Sequence, residues 1–344
     1  MTQEKLAPPT APAVAEPPHA WNRRHLLDVD DFPPPELEAV METADAMREV
    51  LGRDVPRVPA LRGKTIVTLF YEASTRTRAS FELAAKALGA DVINISAGGS
   101  SVEKGESLID TVRTLQAVGA DVLVIRHWAA GAPYLVARHL QSAVINAGDG
   151  AHAHPTQALL DLYTIRNHLG EIRGRRVVIV GDIEHSRVAR SDIWALSAMG
   201  AEVVVCAPPT LLPLSVRPAA GNGGRSNGNA RESLALPPVQ VETNLEAALD
   251  DAEVVMALRL QTERMQGGLL PSLREYATLY QLNEERMSRA RTGALVMHPG
   301  PMNEGIEISP GLASSLQSVI EEQVTNGVAV RMAVLYLMGR GAKP

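Results

Sequence analysis

One cysteine, Cys206, stands among 344 residues, so neither an intrachain disulfide nor a CxxC metal site can form, and this usage fits a reducing cytoplasm. Aromatic residues are scarce at 3%, but 45% apolar and 21% charged residues still describe an ordinary globular chain rather than a disordered one. Positive charge is not in excess. With a net charge of −6, a broad basic face for nucleic acid is excluded, and any anionic ligand must be held by a local cluster of Arg and Lys. The opening residues hold no apolar run of signal-peptide type. The longest apolar stretch, 328–338, is interrupted by Arg331 and falls short of the roughly 18 residues a membrane span needs. No repeat of fixed period is found.

The length predicts two domains. Residues 1–20 carry Pro8, Pro9, Pro12, Pro17 and Pro18 among alanines and read as a disordered tail. Residues 217–230, with four glycines and three asparagines, read as a mobile surface loop. Between these lie short β-branched runs at 65–70, 92–95, 122–126, 143–146, 177–180, 203–206, 254–258 and 294–297, most of them separated by segments of helical period. That pattern predicts an α/β fold of two doubly wound domains, with mostly parallel sheets covered on both faces and linked by helices. The break falls in the helix that starts near His154-Pro155, giving domains of 21–155 and 156–314. Residues 315–338 read as a helix that packs back on the first domain.

After the strand at 65–70 comes Ser74-Thr75-Arg76-Thr77-Arg78, followed by Phe81, Ala84, Ala85 and Leu88 at helical spacing up to Gly89. Ser74 is a good N-cap, so the next backbone N–H groups lie unpaired at the positive end of the helix dipole. The hydroxyls of Ser74, Thr75 and Thr77 add donors, and Arg76 can grip phosphate oxygens bidentately. A strand-turn-helix with this opening is an anion site, although the segment alone also reads as a capped helix with two surface arginines. Arg126 ends the strand at 122–126, where open α/β sheets place ligand contacts; a surface salt bridge is its plain alternative. His152-x-His154 has no third ligand nearby and does not make a zinc site. The strand at 177–180 with Gly181-Asp182 invites a dinucleotide reading, but 181–188 lacks the G-x-G-x-x-G turn a pyrophosphate requires.

Taken with His154-Pro155-Thr156-Gln157, Val180-Gly181-Asp182, Arg259-Leu260-Gln261 and His298-Pro299-Gly300-Pro301, the Ser74–Arg78 turn resembles the signature of the aspartate/ornithine carbamoyltransferases, over roughly residues 21–338. The resemblance implies a carbamoyl-phosphate domain at 21–155, joined by the helix at 315–338, and an aspartate domain at 156–314. It implies that carbamoyl phosphate is held by Ser74, Thr75, Arg76, Thr77 and Arg126, with His154 on its carbonyl oxygen. Gln157 and the carbonyls of the Pro299-Gly300-Pro301 segment would hold its amide. Lys104, Arg187, Arg259 and Gln261 would bind aspartate. Val188 stands where some members carry a hydroxyl residue and is left out of the site. Ser100 and Lys104 match loop residues that the family inserts into a neighbouring subunit's site, which implies a cyclic homotrimer.

Ornithine enzymes of the family carry a Ser-Met-Gly-type motif and a His-Cys-Leu-Pro segment, and this chain has neither. A dicarboxylic amino acid needs cationic donors, so Arg187 and Arg259 favour aspartate. The implied reaction is carbamoyl transfer to the α-amine of aspartate, the committed step of de novo pyrimidine biosynthesis, with no metal or organic cofactor. Arg76, Thr77, Lys104, Arg126 and His154 would be its catalytic groups, and a dihydroorotase or regulatory chain a possible further partner. Two other readings stay open. One is a carbamoyltransferase for a different amine. The other is a silent anion-binding scaffold, against which the intact set of Ser74 to Thr77, Lys104, His154, Arg187 and Arg259 argues.

Overall fold

A computed structural model describes residues 21–96, 106–216, 236–265 and 268–341. The expectations for residues 1–20 and 217–230, and those for Ser100 and Lys104, lie outside the described residues. Two wholly parallel sheets make up the architecture. In the first, β1 (Thr65–Phe70), β2 (Asp91–Ser96), β3 (Val122–His127) and β4 (Ala143–Asp149) run in the order β2-β1-β3-β4. The second takes β5 (Arg176–Val180), β6 (Glu202–Cys206), β7 (Gln240–Glu242), β8 (Val254–Ala257) and β9 (Leu295–Met297) in the order β7-β6-β5-β8-β9.

Helix α1 (Pro34–Leu51) precedes the first sheet, and α2 (Thr75–Ala87), α3 (Leu108–Ala117) and α4 (Ala132–Ala137) lie between its strands. Helix α5 (Pro155–Leu169) leads into the second sheet, which carries α6 (Arg187–Ala198), α7 (Leu245–Leu249), α8 (Leu273–Tyr280) and α9 (Glu284–Met287). After them come α10 (Pro310–Ala313) and α11 (Ile320–Gly341). Each expected strand is present, but β7 was not foreseen. It is a three-residue edge strand, paired with β6 through Val204↔Gln240 and only half-buried, so it lacks the apolar run that marks a central strand.

Both faces of the first sheet are covered, and its strands divide their side chains accordingly. Ile66 and Phe70 of β1 join the main core, whereas Val67 and Leu69 join a smaller one with Leu123, Ile125, Val136 and Val144. The expected C-terminal helix starts later than residue 315, because Ser318 first bridges in parallel to Val296 and extends the edge beyond β9. From there α11 crosses back to pack against α1, α2 and α5, and residues 329–338 are buried all round, Arg331 included.

Strand order reverses between β1 and β3 in the first sheet and between β5 and β8 in the second. Ligands of open α/β sheets bind outside the carboxyl ends of the strands at such points. Phe70 pairs with Arg126 at one reversal and Val180 with Ala257 at the other, and the turns beyond these residues hold the predicted site.

Candidate active site

The two reversals border one cleft of about 680 Å³. Every described residue of the predicted set lines it: Ser74, Thr75, Arg76, Thr77, Arg126, His154 and Gln157 on one side, Arg187, Arg259 and Gln261 on another, and Pro299, Gly300 and Pro301 at a third rim. Val188, omitted from the expected site, lines it too. Ser74 is the N-cap of α2, with extended backbone, but its hydroxyl makes no capping bond to the helix and so stays available to a ligand. His154 is likewise the N-cap of α5 rather than a residue within it, and Gln157 follows on the first turn, its N–H donating to the His154 carbonyl at 2.9 Å. Arg187 is the first residue of α6, a helix capped by the Ser186 hydroxyl, which accepts from the Ala189 N–H. His152 parts from His154 and pairs with Asp149 at 3.2 Å.

Four residues that the sequence reading passed over complete the electrostatics. Glu72, two residues beyond β1, accepts from Arg126 Nη2 at 2.5 Å and from both terminal nitrogens of Arg187, and lies 3.6 Å from Arg264. Burial pushes the Glu72 carboxyl up, but hydrogen bonds and charge from Arg187 and Arg126 outweigh it and hold the group below the ordinary carboxylate value. Arg264 also donates to the Gly150 carbonyl (3.1 Å), as does Arg187 (3.0 Å). Arg331 reaches the cleft from α11, and Gln323 from the first turn of the same helix. Among the described residues that line the cleft, six are arginines (76, 126, 187, 259, 264 and 331) and two are carboxylates (Glu72 and Glu263), so a chain with net charge −6 gathers four excess positive charges on this lining. That is a site for anions.

Desolvation and neighbouring cations shape the titrating groups. Burial, then the Arg187 charge, lowers Arg126 to about 10, which still leaves it charged at neutral pH. His154 is driven well below its ordinary 6.5 by burial and then by Arg126, Arg187 and Arg331, so its imidazole is neutral, with Nδ1 buried and without a partner among the described residues. A neutral imidazole donates one N–H.

Glycine is required where backbone meets guanidinium. Gly300 has φ +65, and a Cβ there would sit 3.2 Å from Arg76 Cζ and Nη2. Gly148 has φ +116, with the corresponding position 3.0 Å from Arg187 Nε and 3.2 Å from Arg126 Nη1. The Gly300 N–H donates to His298 Nδ1 at 2.8 Å, and Gln261 donates its backbone N–H to Asp182 (3.2 Å) and its side-chain amide to the His185 carbonyl (3.1 Å). Arg259 pairs with Glu263 four residues on, and Arg78 turns away to Ser96.

Family models for the aspartate/ornithine carbamoyltransferase carbamoyl-P binding domain and Asp/Orn binding domain match residues 24–167 and 173–338. The aspartate carbamoyltransferase catalytic subunit of Chloroflexus aggregans is 61% identical over 316 residues, covering 92% of this chain and 98% of that one. Among solved structures, aspartate transcarbamoylase from Trypanosoma cruzi in complex with carbamoyl phosphate superposes with a TM-score of 0.80 at 28% identity, over 94% of this chain and 99% of that one. Ornithine carbamoyltransferase from Pyrococcus furiosus gives 0.78 at 27% identity, over 93% and 98%. With two parallel sheets whose switch points enclose an arginine-lined cleft, and with both family domains matched in order, this chain belongs to the aspartate/ornithine carbamoyltransferase family.

Proposed function

We propose that this chain transfers the carbamoyl group of carbamoyl phosphate to the α-amine of L-aspartate, giving N-carbamoyl-L-aspartate and phosphate, as in the committed step of pyrimidine synthesis. The observation that carries this reading is the cleft, in which an α2 N-terminus with free hydroxyls stands opposite Arg187 and Arg259. One side suits a phosphate and the other a dicarboxylate. Identity of 61% to a chain named for that activity supports aspartate over other amines.

The neutral amine attacks the carbonyl carbon, an oxyanion develops, and phosphate leaves with the electron pair of the broken C–O bond. Thr77, Arg126 and the neutral His154 supply donors to the oxyanion, where preorganised hydrogen bonds act most strongly on the barrier. Arg76 and the α2 N-terminus hold the phosphate; Gln157 and the carbonyls at Pro299 and Gly300 accept from the carbamoyl amide. The departing phosphate takes the amine proton, so no protein base is assigned. Residues 21–155 with α11 act as the carbamoyl-phosphate domain and 156–314 as the aspartate domain.

The family resemblance supports a cytoplasmic homotrimer in which Ser100 and Lys104 of one subunit complete the site of the next, with dihydroorotase or a regulatory chain as further partners. Phosphate release from carbamoyl phosphate with aspartate and with ornithine tests the reaction: turnover with ornithine alone overturns it. Refolding an equal mixture of Lys104→Ala and His154→Ala chains tests the shared site. Random assembly should restore about a quarter of the sites, and mixed trimers with no gain over the summed mutants exclude it.

A further inference from the structure

Behind the cleft, Asp161 on α5 and Asp192 on α6 are 2% and 1% exposed, and neither touches the substrate space. Asp161 accepts from Gln157 Nε2, 3.2 Å from each carboxylate oxygen, and from Gln323 Nε2 at 2.7 Å. A carboxylate accepts only, so it fixes which way round each amide sits. Gln157 is thereby left with its carbonyl oxygen as the polar group for the cleft it lines. Gln323 turns its own oxygen to the backbone N–H of His298 (2.9 Å), the residue that opens the His298–Pro301 rim. A single carboxylate thus sets two of the places where a carbamoyl NH₂ finds acceptors.

Asp192 and Asp161 act on each other as side chains across the packed α5 and α6, and among the described residues the Asp192 Oδ2 is buried without any donor. An ionised oxygen in that position would be desolvated beside a second negative charge, with Arg331 the cation that faces Asp161. A carboxylic acid there suffers neither penalty, because its O–H can be given to Asp161. We propose that Asp192 is a protonated acid that donates to Asp161, and that the pair is a positioning device which holds Gln157 and the His298–Pro301 rim against the carbamoyl group. Burial and the Asp161 charge both raise Asp192, in the same direction as the geometry.

This inference rests on the carbamoyl-phosphate reading of the cleft. The test compares the full-length chain with Asp192→Asn, Asp192→Ala and Asp161→Asn. Asparagine keeps a neutral donor at 192, so Asp192→Asn should stay within about twofold of the parent in kcat and in KM for carbamoyl phosphate. Asp192→Ala and Asp161→Asn should raise that KM or lower kcat by about tenfold to a hundredfold through misplaced acceptors, with KM for aspartate little changed. The infrared difference between parent and Asp192→Asn should contain the C=O stretch of a carboxylic acid. Loss in Asp192→Asn equal to that in Asp192→Ala overturns the proposal, as does absence of the acid band. The band needs no turnover, so it judges the proton even if the parent fails to carbamoylate aspartate, a failure that would instead remove the functional reading.

Discussion

Glu72→Gln removes one negative charge and almost no volume from the centre of the arginine cluster. In the parent, Glu72 is 26% exposed at its side chain, whereas Arg126 and Arg187 are 11% and 6% exposed, so the guanidinia have little water to turn to. Breaking a fully buried pair costs about 3–5 kcal/mol, and the partial exposure of Glu72 places the loss at about 2–3 kcal/mol. The variant should therefore unfold several degrees lower. Inorganic phosphate provides the discriminating assay. A bound anion can replace the missing carboxylate, and phosphate at a hundred times its Kd adds about 2.7 kcal/mol to the folded state. Thermal unfolding with and without phosphate should then show a larger gain for Glu72→Gln than for the parent, which already neutralises part of the cluster. The pH dependence follows the same logic. Glu72 is held below its ordinary 4.5 in the fold, so its contribution is full above that value and disappears as pH falls through the lower folded value. Parent and variant should converge in acid. Equal melting temperatures at neutral pH, together with equal gains from phosphate, would refute the assignment of Glu72 as the neutralising group.

Two substitutions separate the substrates. Gly300→Ala forces a Cβ to 3.2 Å from Arg76 and keeps a non-glycine residue at φ +65, so KM for carbamoyl phosphate should rise about tenfold while the aspartate KM holds; the reverse split in steady-state kinetics would contradict this. On the proposed reading, Arg259→Leu should leave one aspartate carboxylate unpaired, costing about 2–5 kcal/mol in kcat/KM for aspartate, and calorimetry should find carbamoyl-phosphate binding unchanged; equal weakening of both ligands would make Arg259 structural.

Central strands and the anion turn were legible because both are local. An apolar run such as Thr65–Phe70 can be satisfied only by burial on two faces, and a cap-and-hydroxyl turn directly before a helical period announces its dipole. The short edge strand Gln240–Glu242 carries no such run and is specified by its neighbour β6. Glu72 stands next to the legible turn but was silent, because its meaning comes from Arg187 and Arg264, more than a hundred residues on. Arg331 did leave a signal. It interrupts the apolar stretch 328–338, and a cation amid residues buried all round a helix needs a partner across a cavity or a carboxylate. Asp161 and Asp192 gave none, since two acids 31 positions apart look like two surface acids until α5 and α6 are packed together.

The return of α11 to the first sheet's helices has a consequence for how the polypeptide matures on the ribosome. Strands β1 to β4 emerge early, but the helix that seals α1, α2 and α5 is translated only after β9 of the other sheet. Until then Phe81 and Leu160, which meet α11 at Arg331 and Gly327, lack their final cover, so the early half cannot lock as a finished unit and waits through the synthesis of well over a hundred further residues. Apolar surface left open for that interval is exposed to aggregation, and a late frameshift that removes only α11 would injure the half of the molecule that was made first.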